Sequence, residues 1–233
     1  MALSDDVESD INSALNFNWD IRDGQVVPAT TDVALLGGGV KLEATLLYAD
    51  LADSTKLAMW DRQVSARVFK AFLSGCSRLI KSQDGYVRSF DGDRVMGVFL
   101  GDRKNSNATK CALNIHWIFD EILRPKFQSK YEKIGDGTYP LAYTTGIDTS
   151  DVLVVRGGVR SDNDLVWVGR APNIAAKLSG IRDGTYATYI TGDVYDRTSD
   201  ESKLTNGVNM WEERVWTNQP VTRIFRSNYR WKP

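Results

Sequence analysis

The sequence predicts an α+β fold, a mostly antiparallel sheet with helices packed on it. Short apolar stretches of strand length alternate with two long segments whose apolar residues recur every three or four positions. Their order is strand, helix, hairpin, helix, strand, whereas a doubly wound parallel sheet needs a helix after each strand. Neither G-x-G-x-x-G nor G-x-x-x-x-G-K-[ST] occurs, so no standard phosphate loop points to a parallel fold.

Residues 1–40 form a lead segment, with a helix expected over 5–15 and an irregular stretch that closes on the glycine run "LGGGV". Residues 41–233 carry the alternating signals. A strand is expected at 42–48. A helix capped by Asp53 or Ser54 follows, its apolar face running through Leu57, Trp60, Val64, Val68, Phe72, Cys76 and Leu79. Strands at 86–90 and 95–100 face each other across Asp91-Gly92, a turn-forming dipeptide. A second helix spans 107–127. Strands at 141–147, 152–155 and 165–168, a helix at 172–178, and strands at 188–190 and 221–225 complete the pattern.

At 233 residues, with 42% hydrophobic and 25% charged side chains, the composition is that of a soluble globular protein with a packed core. A net charge of −1 leaves no basic excess to neutralise a nucleic-acid backbone. No apolar run approaches the roughly 20 residues that span a bilayer, and "MALSDDVESD" is acidic rather than signal-like, so a cytoplasmic protein without membrane or nucleic-acid partners is expected. Cys76 and Cys111 lie in helical patterns without C-x-x-C spacing and read as buried thiols. The single histidine, His116, sits among Ile115, Trp117 and Ile118 as a packed helix residue. Any catalysis therefore falls to carboxylates, hydroxyls or metals.

Two carboxylates are placed alike. Asp50 ends the apolar stretch of "LLYADLADST", and Asp93 stands at the hairpin of "SFDGDRVMGVF". If their strands are neighbours in one antiparallel sheet, both emerge at the same end. Two carboxylates that close repel each other and favour a shared divalent cation. Ser54, Thr55 and the backbone of "LADST" lie beside them at a helix start suited to phosphate. A metal pair next to a phosphate cradle is the layout of in-line phosphoryl transfer.

These stretches resemble the motifs of class III nucleotidyl cyclases. "LLYADLADST" is similar to F-x-D-[IL]-x-G-[FS]-T, and "SFDGDRVMGVF" to K-x-x-G-D followed by an apolar strand. "TTGIDTSDV" resembles GI-H-TG-x-V, and "WVGRAPNIAAKLSG" resembles G-x-x-[VP]-N-x-A-x-R-L. The resemblance covers about residue 41 to the C-terminus. It implies the family's α+β catalytic core with ferredoxin-like βαβ elements, working as a homodimer with active sites at the interface. It also implies that Asp50 and Asp93, helped by the Leu51 carbonyl, hold two Mg²⁺ or Mn²⁺ ions. Asn173 takes the place of the ribose-orienting Asn. Lys177 stands where the family has its transition-state Arg, keeping the charge but losing the bidentate fork.

The departures concern the base. Adenine-selective members read the purine with a Lys and an Asp, and here Ser89 and Val166 occupy those positions. The guanine-type Glu is missing as well. A site that has lost both readers takes a different base or has a loose pocket. This resembles the pyrimidine cyclases of the bacterial anti-phage system called Pycsar, which make cyclic UMP or cyclic CMP. Tyr48, Arg94 and Trp167 are candidates to fill the space beside a small pyrimidine, with core packing the alternative for Tyr48 and Trp167. Asp53 adds negative charge near the phosphates unless it turns away as a helix cap. Asp91 is a candidate third ligand, with hairpin geometry the alternative. Arg223, Arg226 and Arg230 are candidates to meet the terminal phosphates, with ordinary strand-edge charges the alternative. The expected substrate is UTP ahead of CTP. An adenylate cyclase with an atypical pocket and a non-catalytic nucleotide-binding domain are the alternatives.

Overall fold

In the computed structural model, which describes residues 2–233, the chain opens with helix α1 (Leu3–Asn16) and strand β1 (Asp20–Asp23). Strand β2 (Gly38–Leu51) leads into helices α2 (Ser54–Trp60) and α3 (Arg62–Ser82), then the hairpin β3 (Tyr86–Asp91) and β4 (Arg94–Phe99). Helices α4 (Lys104–Ile118), α5 (Arg124–Lys130) and α6 (Glu132–Gly135) precede strands β5 (Tyr143–Gly158) and β6 (Asn163–Gly169) and helix α7 (Arg170–Ser179). Strand β7 (Thr188–Thr191), helices α8 (Gly192–Arg197) and α9 (Asp200–Lys203), the small hairpin β8 (Leu204–Thr205) and β9 (Val208–Asn209), and strands β10 (Glu212–Val215) and β11 (Arg223–Ser227) close the chain. None of the described helices is long and apolar enough to cross a membrane.

One nine-stranded sheet runs in the order β10-β11-β7-β5-β2-β4-β3, with β1 added to β2 and β6 added to β5. The pairs β1–β2 and β5–β7 are parallel and the others antiparallel, as the sequence predicts for the sheet in general. Strands β2 and β5 pair continuously from Gly39–Val155 to Leu51–Tyr143, forming a long central ribbon.

Alternation along β2 sorts the core. Leu47, Ala49 and Leu51 join Val68, Phe72 and Cys76 of α3 and Cys111 and Ile115 of α4 on one face. Leu42, Ala44 and Leu46 join Ala171 and Ala175 of α7 on the other. The close seat of α7 depends on Gly146. A Cβ there would lie 2.2 Å from the Ala175 carbonyl oxygen and 2.4 Å from the Ser179 nitrogen. Cys76 and Cys111 are free and buried, and burial pushes both thiols up, so neither serves as a nucleophile.

Several boundaries differ from expectation. The helix read from residue 54 breaks at Asp61, whose carboxylate accepts from Gln63 N at 2.8 Å and Val64 N at 3.0 Å and so starts α3 afresh. The second long helix begins at Lys104 and carries a π-turn over Phe119–Leu123. That turn ends two residues before Pro125, which has no N–H for a regular ladder. Residues expected as two strands, 141–147 and 152–155, belong from Tyr143 onward to the single strand β5, because Asp148 within it is neutralised in place. Arg170 Nε donates to it at 3.1 Å and Thr191 Oγ1 at 2.7 Å. Within the lead segment, Asp20–Asp23 pairs with Gly38–Lys41 and joins the sheet. Helix α1, by contrast, buries none of its residues.

Candidate active site

The register of β4 brings the two carboxylates together. Asp50 pairs with Arg94 across β2 and β4, while Asp91 pairs with Arg94 across β3 and β4. The hairpin loop is therefore Gly92-Asp93, one residue later than the sequence suggests. Gly92, at φ +61, takes the first central position, where a type II′ turn requires positive φ. Asp93 thus lies one residue along from the position opposite Asp50.

The electrostatics agree with this proximity. Burial pushes the Asp50 carboxyl above its ordinary value. A hydrogen bond from Arg182 opposes that shift, and the negative charge of Asp93 adds to it. Asp93 Oδ2 is buried and has no hydrogen-bond partner among the described residues. A bare buried carboxylate oxygen beside a second carboxylate and the Leu51 carbonyl is a hard-oxygen donor set, which suits Mg²⁺ or Mn²⁺. No group of three or more His, Cys, Asp or Glu side chains suited to a metal occurs among the described residues. Two carboxylates are enough for an ion whose remaining positions are taken by substrate phosphates and water.

The surrounding residues fall into two groups. Tyr48 and Ser89 both pair with Met96 and so share the sheet face of Asp50 and Arg94. The Arg94 guanidinium lies 5.4 Å from the Tyr48 ring centroid and donates to Asp91 at 2.7 Å. Burial pushes the Tyr48 phenol up, against the pull of Arg94, so the hydroxyl stays neutral and able to donate at neutral pH. Ser54 and Thr55 open α2 just beyond Leu51. Asp53 makes no side-chain cap bond, contrary to expectation. It sits in the left-handed region at φ +53 and pairs with Lys56 at 2.8 Å in solvent, which neutralises the added charge. Asp91, engaged by Arg94, is exposed rather than a third ligand.

Asn173, Lys177 and Val166 are not with this group. Helix α7 buries Ala171, Ile174, Ala175 and Leu178, so Asn173 and Lys177 project from its exposed side. Asn173 Nδ2 donates to Gly169 O at 2.9 Å and Lys177 Nζ to Gln219 Oε1 at 3.3 Å. Val166 pairs with Val155, whereas Asp50 pairs with Thr144. Those β5 positions lie about 36 Å apart at roughly 3.3 Å per strand residue. Trp167 packs against the apolar cluster of Leu46 and Val154, the core role held open for it.

The three C-terminal arginines are engaged elsewhere. Arg223 binds Asp196 at 2.7 Å and Glu213 at 3.2 Å. Arg226 binds Glu212 and Asp183, and Arg230 binds Glu121 at 2.8 Å. A second cation at the site, beside Arg94, is Arg182, which no motif signalled. Its Nη2 donates to Asp50 Oδ2 at 2.9 Å and to the Leu51 carbonyl at 3.3 Å.

Known proteins resemble this arrangement at two levels. No protein-family model matches the chain. Among solved structures, the adenylyl cyclase CyaB from P. aeruginosa superposes with a TM-score of 0.66 at 18% identity, covering 81% of this chain and 95% of that one. A bacterial light-regulated adenylyl cyclase gives 0.66 at 19% identity over 81% of this chain, which spans 52% of that longer protein. A curated uridylate cyclase from Rhodovulum sp. (strain MB263) is 44% identical over 238 residues, covering 100% of this chain and 99% of its own. One from Xanthomonas perforans is 40% identical over 234 residues, with 100% and 99% covered. The fold, with its sheet ending in two carboxylates, is that of a class III nucleotidyl cyclase enzyme. Within that class, the chain belongs to the family of the uridylate cyclases.

Proposed function

We propose that this protein converts UTP into 3′,5′-cyclic UMP and pyrophosphate. The observation that carries the proposal is the meeting of Asp50 with Asp93, whose Oδ2 is buried and unpartnered, beside the Leu51 carbonyl. Names of relatives at 44% and 40% identity support uracil as the base. Ser89, which offers no charged edge to a purine, supports a pyrimidine over a purine.

In the reaction the ribose 3′-oxygen attacks the α-phosphorus. The bond to the β-phosphate oxygen breaks, pyrophosphate leaves, and the 3′-hydroxyl proton passes to solvent. Asp50, Asp93 and the Leu51 carbonyl would hold two divalent cations, which when bound would supply Lewis-acid activation of the 3′-hydroxyl and charge neutralisation at the leaving pyrophosphate. Ser54 and Thr55 lie where terminal phosphates approach the start of α2. Tyr48 offers a neutral hydroxyl, and Arg94 a guanidinium, beside the position of the base. Asn173 and Lys177, on the exposed side of α7, serve the site of a second copy, with Asn173 orienting the ribose and Lys177 meeting charge at the α-phosphate. The working unit is thus a homodimer with composite sites. Placement in the cytoplasm and a second-messenger role in anti-phage defence follow from the family resemblance.

Purified protein incubated with Mn²⁺ and all four nucleoside triphosphates, with the product identified by mass spectrometry, tests the proposal. Cyclic UMP is the expected main product. Dominant cyclic CMP or cyclic AMP overturns the choice of base, and nucleotide binding without pyrophosphate release overturns catalysis.

A further inference from the structure

The two oxygens assigned to metal already have a cationic partner in the same chain. Arg182 Nη2 donates to Asp50 Oδ2 at 2.9 Å and to the Leu51 carbonyl at 3.3 Å. Its Nη1 donates to the carbonyls of Ser179, at 2.6 Å, and Ile181, at 3.1 Å, where α7 ends. A positive group there also suits the negative end of the helix. The loop is tied to the strand end it serves, since Thr144 Oγ1 donates to the Ile181 carbonyl at 2.8 Å and Thr144 is the β5 partner of Asp50. Asp93 Oδ2, in contrast, has no partner among the described residues. One carboxylate of the pair is held by a guanidinium and the other is bare.

We infer that Arg182 is the resident counter-cation of this site, a positioning residue that holds Asp50 and the Leu51 carbonyl in place and yields them to an incoming divalent ion. The inference rests on the two-cation reading of Asp50 and Asp93. Arginine stays charged at any physiological pH, so proton loss does not free these oxygens. A divalent ion on the same oxygens would sit within a few ångströms of the guanidinium, and the repulsion of like charges drives Arg182 off. Its planar fork then meets the charge that accompanies the metal, the β- and γ-phosphates of the nucleotide. Other basic groups close by are committed, Arg94 to Asp91 and Lys56 to Asp53. Arg182 thus discourages binding of metal alone and favours binding of metal together with a triphosphate.

The test measures Mn²⁺ binding to nucleotide-free protein by electron paramagnetic resonance, for wild type, Arg182→Ala, Arg182→Lys and Asp50→Ala. Removing the competing cation is expected to tighten Mn²⁺ binding in Arg182→Ala roughly three- to tenfold, the modest range of a partly exposed ion pair. The same variant is expected to bind a non-hydrolysable UTP analogue with Mn²⁺ roughly tenfold more weakly. Arg182→Lys keeps the charge without the fork and is expected to fall between wild type and Arg182→Ala in both assays. A contact that only stabilises the fold would lower the melting temperature without tightening Mn²⁺ binding. Unchanged or weaker Mn²⁺ binding in Arg182→Ala, with Asp50→Ala losing the ion, overturns the inference and leaves the metal site standing. Wild-type Mn²⁺ affinity in Asp50→Ala overturns the metal site itself.

Discussion

Asp50 stands directly opposite Arg94 in the β2–β4 ladder, and this register position fixes where the second carboxylate lies. The adjacent turn residue is Asp93, so two side chains distant in the chain share one end of the sheet. A slip of one residue would send Asp50 to the face covered by α3 and α4. Strand register therefore sets where the hairpin turn delivers Asp93 relative to Asp50.

Asp50→Asn and Asp93→Asn each keep the shape of the side chain and remove the charge. Each is expected to lower pyrophosphate release at least about 100-fold while circular dichroism and elution volume stay those of wild type. Near-normal turnover in either variant would count against both carboxylates holding metal.

Asn173 and Lys177 lie on the exposed side of α7, and the proposed composite site assigns them to the carboxylates of a second copy. Mixing inactive Asp50→Asn chains with inactive Asn173→Ala chains is expected to recover about a quarter of wild-type activity. Half of randomly paired dimers are mixed, and each carries one intact site of two. Mixtures as inactive as their parents would place Asn173 in the same site as Asp50.

Gly146→Ala puts a methyl group 2.2 Å from the Ala175 carbonyl oxygen, where neither backbone can give way without moving α7. Urea unfolding is expected to show a loss of about 3 kcal/mol. Wild-type stability in this variant would mean that α7 sits further from β5.

Asp120 links the π-turn to the C-terminal tail. Burial would raise its carboxyl, but the hydrogen bond from His116 and the positive charges of Arg124 and Arg230 hold it below its ordinary 3.8. A depressed carboxyl contributes stability above the unfolded value that is lost as pH falls through the folded one. Asp120→Asn is therefore expected to be less stable than wild type at pH 7, by about 2 kcal/mol. The gap between the two should close as urea midpoints are taken below pH 3.8. A gap of the same size in acid would assign the loss to packing.

The carboxylate pair was legible in the sequence because each Asp lies in a local pattern, one at the end of an apolar strand and one in a glycine turn. Tyr48 and Arg94 were legible as neighbours of those two aspartates, and Ser89 through the family resemblance. Arg182 was not legible: it sits in "SGIRDG", a loop without a motif, and meets Asp50 only through the fold, 132 residues away. The C-terminal arginines were misleading for the converse reason, since the carboxylates that occupy them are assembled by strands β10 and β11 and by distant helices. The continuity of β5 through Asp148 was not legible either, because Arg170 and Thr191, which hold that carboxylate, are placed beside it only by the fold.

Crystals grown with Mn²⁺ and a non-hydrolysable UTP analogue, with data collected at the manganese absorption edge, test the central claim most directly. Anomalous peaks are expected within about 2.3 Å of oxygens from both Asp50 and Asp93, the distance usual for a hard cation and its oxygen ligands. Peaks that touch neither side chain, or carboxylates turned away from the bound triphosphate, would contradict it.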